Sequence, residues 1–241
     1  FMAATEALGA ACGSTAWAYL AHCSAEQALI ATGTDAQKDR WLPALSEGRS
    51  IGAALVATET GGGSNLMAIQ TLANRKDGSF VLNGRKHFIT LAGVADLYVV
   101  VARLSDAPES GALSCFLVEK EDPGVSFGKR EQTVGLRGVS IGEIIFEDCR
   151  LPLDRLLGNP GGAMMVLGAI GNIGLLGSAS MALGMAEAAL NAATTYVKER
   201  KVANQLLSSQ PGVQAIVGDA RFELSGARAW LAQAAAWYSN P

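Results

Sequence analysis

The sequence predicts an α+β fold in which a mainly antiparallel β-sheet or barrel stands between two helical segments. Apolar residues recur at helical spacing near the end of the chain, as at Leu183, Ala186, Leu190, Ala193 and Val197. Residues 49–158 instead carry short β-branched or aromatic runs bounded by turn residues. No helical pattern of roughly 10–15 residues separates most of these runs, which argues against a doubly wound parallel sheet. With 241 residues, 49% of them hydrophobic and 17% charged, the chain can bury a substantial core.

Residues 1–48 read as part of an N-terminal helical domain. Glu6, Ala10 and Trp17 fall in one apolar-rich run, and Asp35 is the expected N-cap of a helix over Ala36–Leu45. Pro43 weakens that helix near its end, and Glu47-Gly48 mark the exit. The β-domain spans residues 49–158. Its expected strands are Ile51–Thr58, Gln70–Lys76, Phe80–Phe88, Leu97–Arg103, Ser114–Glu119 and Glu143–Glu147. Lys76-Asp77-Gly78-Ser79 and Asn83-Gly84 are turn signals, the first closing a hairpin between Thr71–Arg75 and Phe80–Leu82. Residues 159–241 read as part of a C-terminal helical domain. Met181–Lys201 is its clearest helix, with Lys198, Arg200 and Lys201 at the negative end of the dipole. A second helix is expected over Val213–Tyr238.

A net charge of −3 without a basic run argues against a nucleic-acid surface. Cys12, Cys23, Cys115 and Cys149 are scattered without a C-x-x-C pair, and only His22 and His87 accompany them, so no metal site is expected. The same usage points to a reduced, cytoplasmic protein, and the first residues do not read as a signal peptide. From Leu156 to Ala186 no side chain is charged, a length that can span a bilayer. Gly168, Gly171, Gly174 and Gly177 repeat every three residues within it. The run nevertheless opens Gly-Asn-Pro-Gly-Gly, contains Asn172, Ser178 and Ser180, and has no aromatic belt. A helix buried in a bundle or interface is therefore expected, with no membrane span. Each interior glycine costs about 0.8–1 kcal/mol against alanine, which implies close packing or space left for something else.

Two segments carry the chemistry. Residues 56–65 read Val-Ala-Thr-Glu-Thr-Gly-Gly-Gly-Ser-Asn, where consecutive glycines allow positive φ and an anion-binding nest. Residues 86–90 read Lys-His-Phe-Ile-Thr. Each looks like a strand ending in hydroxyl and small residues, able to face a flat, polar-edged, phosphate-bearing ligand.

In this order and spacing the pair resembles the flavin-binding strands of the acyl-CoA dehydrogenase family, which run roughly T-E-P-x-A-G-S-D and K-x-W-I-T. The likeness extends from Glu6 to Ala220 and includes Asn83-Gly84-x-Lys86, Gly135-Leu136-Arg137-Gly138 and the strand-like Phe146–Pro152. Complete family members are longer at both ends, so the resemblance implies a middle section of an acyl-CoA dehydrogenase-like fold. It also implies non-covalent FAD lying against Phe88, which replaces the usual Trp. Thr58 would bond the pyrimidine edge of the flavin and Thr90 its N5 side. Ser64 would sit at the pyrophosphate and at the substrate thioester arm, with Leu55, Val56, Gly63 and Ile89 completing the cofactor set. His87 should point away from Phe88 if the strand alternates. Thr60 and Asn65 replace the family proline and acid.

Two further family features are altered. The pattern R-x-x-F-G keeps only Arg200, which would reach the dinucleotide across a dimer interface, and the family Gln position falls on Pro211. The family's base, a carboxylate that takes the α-proton, comes either from beyond the point where this sequence stops or from a Glu, followed by an Arg, whose two positions match Gly174 and Leu175. No catalytic base is assigned, and these residues alone are expected to be inactive; Glu59 is the acid nearest the flavin motif. Gly171 and Gly174 are the expected acyl-binding positions, where small residues either leave room for a bulky or branched group or mark a tight helix crossing.

Three function classes follow. The first is an FAD-dependent acyl-thioester dehydrogenase acting on acyl-CoA, or on acyl groups held by a carrier protein, to give a 2-enoyl thioester. Its implied partners are copies of itself in a homodimer or homotetramer and an electron-transfer flavoprotein. The second is a catalytically degenerate relative that binds acyl thioesters or serves in a hetero-oligomer. The third is a non-enzymatic domain whose glycine loop binds nothing, which a flavin absorption band would exclude.

Overall fold

The computed structural model describes residues 1–105 and 113–239. Helices α1 (Met2–Ala11), α2 (Gly13–Thr32) and α3 (Asp35–Ser46) lead into the strands. These are β1 (Gly52–Val56), β2 (Leu72–Lys76), β3 (Ser79–Thr90), β4 (Leu97–Leu104), β5 (Leu113–Glu119), β6 (Val125–Arg130), β7 (Ile141–Pro152) and β8 (Leu156–Leu157). Helix α4 (Ala163–Glu199), strands β9 (Lys201–Val202) and β10 (Gln205–Leu206) and helix α5 (Pro211–Ser239) complete the order. The chain divides into two units, Ala18–Gly174 and a helical unit of Phe1–Trp17 with Leu175–Pro241.

In the first unit the sheet runs β6-β7-β3-β2-β4-β5-β8, with β1 also paired to β4. Most pairings are antiparallel, as expected; β4 is the exception and pairs in parallel with β1 and β2. Strands β4 and β5 are buried along nearly their whole length, which explains their continuous apolar sequence. One core joins Ala25, Ala28 and Leu29 of α2 and Trp41 and Leu45 of α3 to Leu97, Val99, Val101, Cys115 and Leu117 of the sheet.

Local chemistry sets the boundaries. The β2–β3 hairpin turns on Asp77 and Gly78, both at positive φ, as a two-residue turn requires. Asn83-Gly84, expected as a turn, is instead a bulge inside β3. Gly84 has φ +154 and a Cβ there would lie 2.5 Å from the Thr71 hydroxyl, so no other residue fits. Helix α3 is capped by Thr34 rather than Asp35. The Thr34 Oγ1 accepts from Gln37 N, and Gln37 Oε1 accepts from Thr34 N, a reciprocal capping box. The buried Gln37 amide then donates to Asp154 O at 2.6 Å and Leu156 O at 2.8 Å.

Within the helical unit, α1 is a separate helix from α2, because the chain turns extended at Cys12 and interrupts the single run expected there. The glycines that permit close packing are Gly9, against Met181 backbone, and Gly184, against Glu6 backbone. In α4, a Cβ at Gly168, Gly171 or Gly174 would meet nothing within 4 Å. The helix expected over Met181–Lys201 and the glycine-spaced stretch before it form one 37-residue helix. By length and composition α4 is apolar enough to cross a membrane, a test the core helix of a soluble protein also passes. Arg228 bridges Glu6 at 2.7 Å and Glu187 at 3.2 Å, tying α5 to α1 and α4.

Candidate functional site

The two chemistry-bearing segments meet through one backbone bond. His87 N–H donates to Thr58 O at 2.9 Å, setting the end of β3 beside the chain that leaves β1. A Cβ on Gly63 would lie 3.0 Å from Thr58 Oγ1, so the glycine loop folds back on Thr58. Gly61 and Gly62 face open space, and Ser64 is exposed. Thr58, Gly63 and the His87–Thr90 strand end are thus neighbours.

Their backbone is unusual. Leu55, Phe88 and Leu91 all have positive φ, at 62°, 56° and 61°. Such conformations in non-glycine residues are uncommon and concentrate at functional sites. Phe88 sits where the β3–β7 register shifts, and the bulge leaves its ring 63% exposed. Leu55 is likewise exposed. The Tyr98 hydroxyl donates to Leu91 O at 3.0 Å and steadies the residue after Thr90.

Beneath this surface lies an ion pair that the sequence did not announce. The Lys86 ammonium is fully buried and donates to Glu59 Oε1 at 2.8 Å and to Ala57 O at 3.1 Å. Glu59 also accepts from the Thr71 hydroxyl at 2.6 Å and from Gln70 and Thr71 N–H. Burial alone would raise the Glu59 carboxyl, but these hydrogen bonds outweigh it and hold it at about 2. Burial draws the Lys86 ammonium below its ordinary value, and Glu59 opposes that shift. Because Lys86 grips Ala57 O, the pair fixes the backbone immediately before Thr58. The detectable signal was a lysine in an otherwise strand-like run, which periodicity alone could not place inside.

The predicted site residues therefore divide. Thr58, Gly63, Ser64, Phe88 and Thr90 stand on or beside the exposed rim, and Leu55 joins them. Val56 and Ile89 turn their side chains into the core, leaving only backbone for a ligand. Gly171 and Gly174 lie on α4 with open space where a side chain would be. Arg200 belongs to the helical unit; it is exposed, and its carbonyl accepts from Leu207 N at 2.7 Å across the β9–β10 hairpin. That hairpin turns on Ala203 and Asn204, both at positive φ. His87 does not point into solvent beside Phe88: it bonds Thr60 and Glu143.

Comparison with known proteins follows the same division of the chain. Residues 1–49 match the acyl-CoA dehydrogenase N-terminal domain, 54–149 its middle domain and 176–240 its C-terminal domain. A short-chain specific acyl-CoA dehydrogenase of Clostridium acetobutylicum is 36% identical over 236 residues, covering 98% of this chain and 62% of its own length. Cyclohex-1-ene-1-carbonyl-CoA dehydrogenase of Syntrophus aciditrophicus is 34% identical over 229 residues, covering 95% of this chain and 55% of its own. Among solved structures, butyryl-CoA dehydrogenase from Megasphaera elsdenii superposes with a TM-score of 0.93 at 30% identity, over 97% of this chain and 61% of that one. The chain thus spans somewhat over half the length of the relatives it matches. With three successive domains of one family accounting for nearly all of it, the chain belongs to the acyl-CoA dehydrogenase family.

Proposed function

We propose that the protein is an FAD-dependent dehydrogenase that oxidises the Cα–Cβ bond of an acyl thioester, with acyl-CoA as the substrate class. The observation that carries this reading is the junction of Thr58, the glycine loop and the exposed Phe88–Thr90 strand end, made by the His87–Thr58 backbone bond. When bound, FAD supplies a hydride acceptor. The residues present fit such a group: Phe88 offers an exposed aromatic face, Thr58 and Thr90 offer hydroxyls, and the glycines leave room for close backbone approach. Leu55, Val56 and Ile89 contribute backbone around it, Ser64 serves both cofactor and thioester arm, and Arg200 serves the dinucleotide from another copy of the chain. Open space at Gly171 and Gly174 suits an acyl group. A homodimer or homotetramer passing electrons to an electron-transfer flavoprotein is the matching assembly.

Glu59 is not the base that removes the α-proton. Its carboxylate is held low and consumed by Lys86 and Thr71, so it is a poor proton acceptor near neutral pH. Its role is to shape the strand end. The reading is tested by the visible spectrum of the purified protein and by Thr90→Val. A yellow protein is expected, and the variant should bind FAD about 2–10-fold more weakly or reduce more slowly, the range for one lost hydrogen bond. A colourless protein that takes up no FAD would overturn the proposal.

A further inference from the structure

Beside the rim runs a chain of hydrogen bonds that the cofactor reading does not use. Thr60 Oγ1 lies 2.9 Å from His87 Nε2, and His87 Nδ1 lies 3.2 Å from Glu143 Oε1. Glu143 Oε2 accepts from Lys129 N at 3.3 Å and lies 4.0 Å from the Arg85 guanidinium. Gly128 makes room for this carboxylate, since a Cβ there would collide with it. Three strands, β3, β6 and β7, thereby converge on one threonine of the glycine loop.

We propose that Thr60, His87 and Glu143 form a clasp that holds the Gly61–Gly63 loop in the shape that takes the anionic part of the cofactor, with His87 as a positioning residue. The proposal rests on the flavin reading for the identity of the anion. The chemistry orders the clasp. A carboxylate facing Nδ1 keeps the proton of the neutral ring on that nitrogen, so Nε2 is left as an acceptor and Thr60 donates to it. The turn that carries Thr60 as its second residue runs from Glu59 to Gly62 and is closed by Gly62 N–H donating to Glu59 O at 2.9 Å. Glu59 is itself fixed by Lys86, so the loop is gripped on consecutive residues, one inward by the ion pair and one outward by the clasp. Between those grips and Ser64, Gly61 and Gly62 have nothing within 4 Å of a built Cβ, and a loop this open needs an outside constraint to keep one conformation. In the family pattern a proline stands at this position and supplies its own rigidity; Thr60 supplies it through His87.

The two histidines make the test direct. His22 Nδ1 accepts from Gly52 N at 3.1 Å, so its neutral form carries the proton on Nε2, opposite to His87. Long-range 1H–15N correlation spectra at pH 8, assigned with His22→Gln and His87→Gln, should show one histidine of each tautomer. Thr60→Val should move the His87 Nε2 resonance and speed amide exchange at Gly62 about 3–10-fold, as for one lost hydrogen bond, whereas Thr60→Ser should restore both. FAD affinity should fall by a similar factor in Thr60→Val while riboflavin, which lacks the pyrophosphate, binds unchanged. An Nε2–H tautomer at His87, or unchanged Gly62 exchange in Thr60→Val, would overturn the clasp. Equal losses for FAD and riboflavin would overturn its link to the anion. If the wild-type protein binds no FAD, the flavin reading fails, and the tautomer and exchange results still decide whether the clasp holds the loop.

Discussion

The sheet-bearing unit and the helical unit store their awkward groups in opposite places. In the first, β4 and β5 are buried almost end to end, and charge is taken inside: Lys86 with Glu59, and Arg155 with Glu119 and Asp122. In the second, charges stay at the surface and apolar groups remain outside. Ile216, Phe222, Trp230 and Trp237 of α5 are 71%, 79%, 71% and 65% exposed, and Leu224 is the one buried residue of α5 among those described. A sheet flanked by helices can close its own core. A long helix with two apolar sides needs a further neighbour. The contrast separates a unit stabilised by internal pairing from one whose stability depends on what covers it.

The contrast breaks most sharply at Lys86. Lys86→Met leaves the Glu59 carboxylate buried without its cation and should cost about 3–5 kcal/mol in urea unfolding. Adding Glu59→Gln should recover part of that loss, because the stranded charge is removed. A loss below about 1 kcal/mol for the single variant would mean that the pair is not buried in solution.

Acid should distinguish the units next. The Glu59 carboxyl titrates at about 2 in the fold against 4.5 for the free group. Its contribution is therefore complete above about pH 4.5 and lost as pH falls from there toward 2. Glu187 is also lowered, chiefly by Arg221, with burial opposing and Arg228 adding to the lowering, but it lies at the surface. Added salt should therefore weaken the acid response of the helical unit and leave that of the sheet unit nearly unchanged. Thermal melts across pH 2–5 at low and high salt would check this.

A third variant sharpens the comparison from the other side. Apolar patches above a few hundred Å² are rare on soluble monomers, so α5 is expected to be covered by another copy of the chain. Trp230→Glu with Trp237→Glu should lower the mass seen by light scattering while leaving the sheet unit's melting behaviour unchanged. A wild-type monomer would remove this expectation. The smallest effect is at Leu55, exposed with φ +62. Leu55→Gly should stabilise the fold by about 0.5–1 kcal/mol, because glycine adopts that conformation without strain. A net loss would mean that the leucine side chain is held by contacts after all.

Much of this architecture was legible because local signals and tertiary needs agreed. Asp77-Gly78 can turn a two-residue hairpin, and continuous apolar runs gave β4 and β5. Strand β6 escaped because only Val125 and Phe127 in it are apolar, and it is buried on one side at most. The β9–β10 hairpin escaped because Ala203 and Asn204 adopt positive φ without glycine, and Gly84 misled because a bulge and a turn ask for the same residue. At the candidate site, sequence singled out the segments of Thr58 and Phe88–Thr90, which the fold brings side by side, since hydroxyl and aromatic residues at strand ends mark themselves. Sequence did not say which members of the cofactor set would present backbone alone; Val56 and Ile89 have buried side chains, and around Ile89 the register shift beside Phe88 interrupts simple alternation. Lys86 in the core was beyond it: burial of a lysine depends on partners far along the chain.

Gln37 shows what such distant partners mean while the protein is being made. Its side chain closes the α3 cap with Thr34 as soon as those residues exist, yet its amide bonds carbonyls 117 and 119 residues further on. At roughly 5–20 residues per second of synthesis, those acceptors emerge on the order of 6–24 s after Gln37 does. During that interval α3 can pack on α2 and the earlier strands through Trp41 and Leu45, while the Gln37 amide has neither of its distant acceptors. The bond between α3 and the segment that follows β7 is therefore among the last of the sheet unit to close, timed by the arrival of residues 154–156.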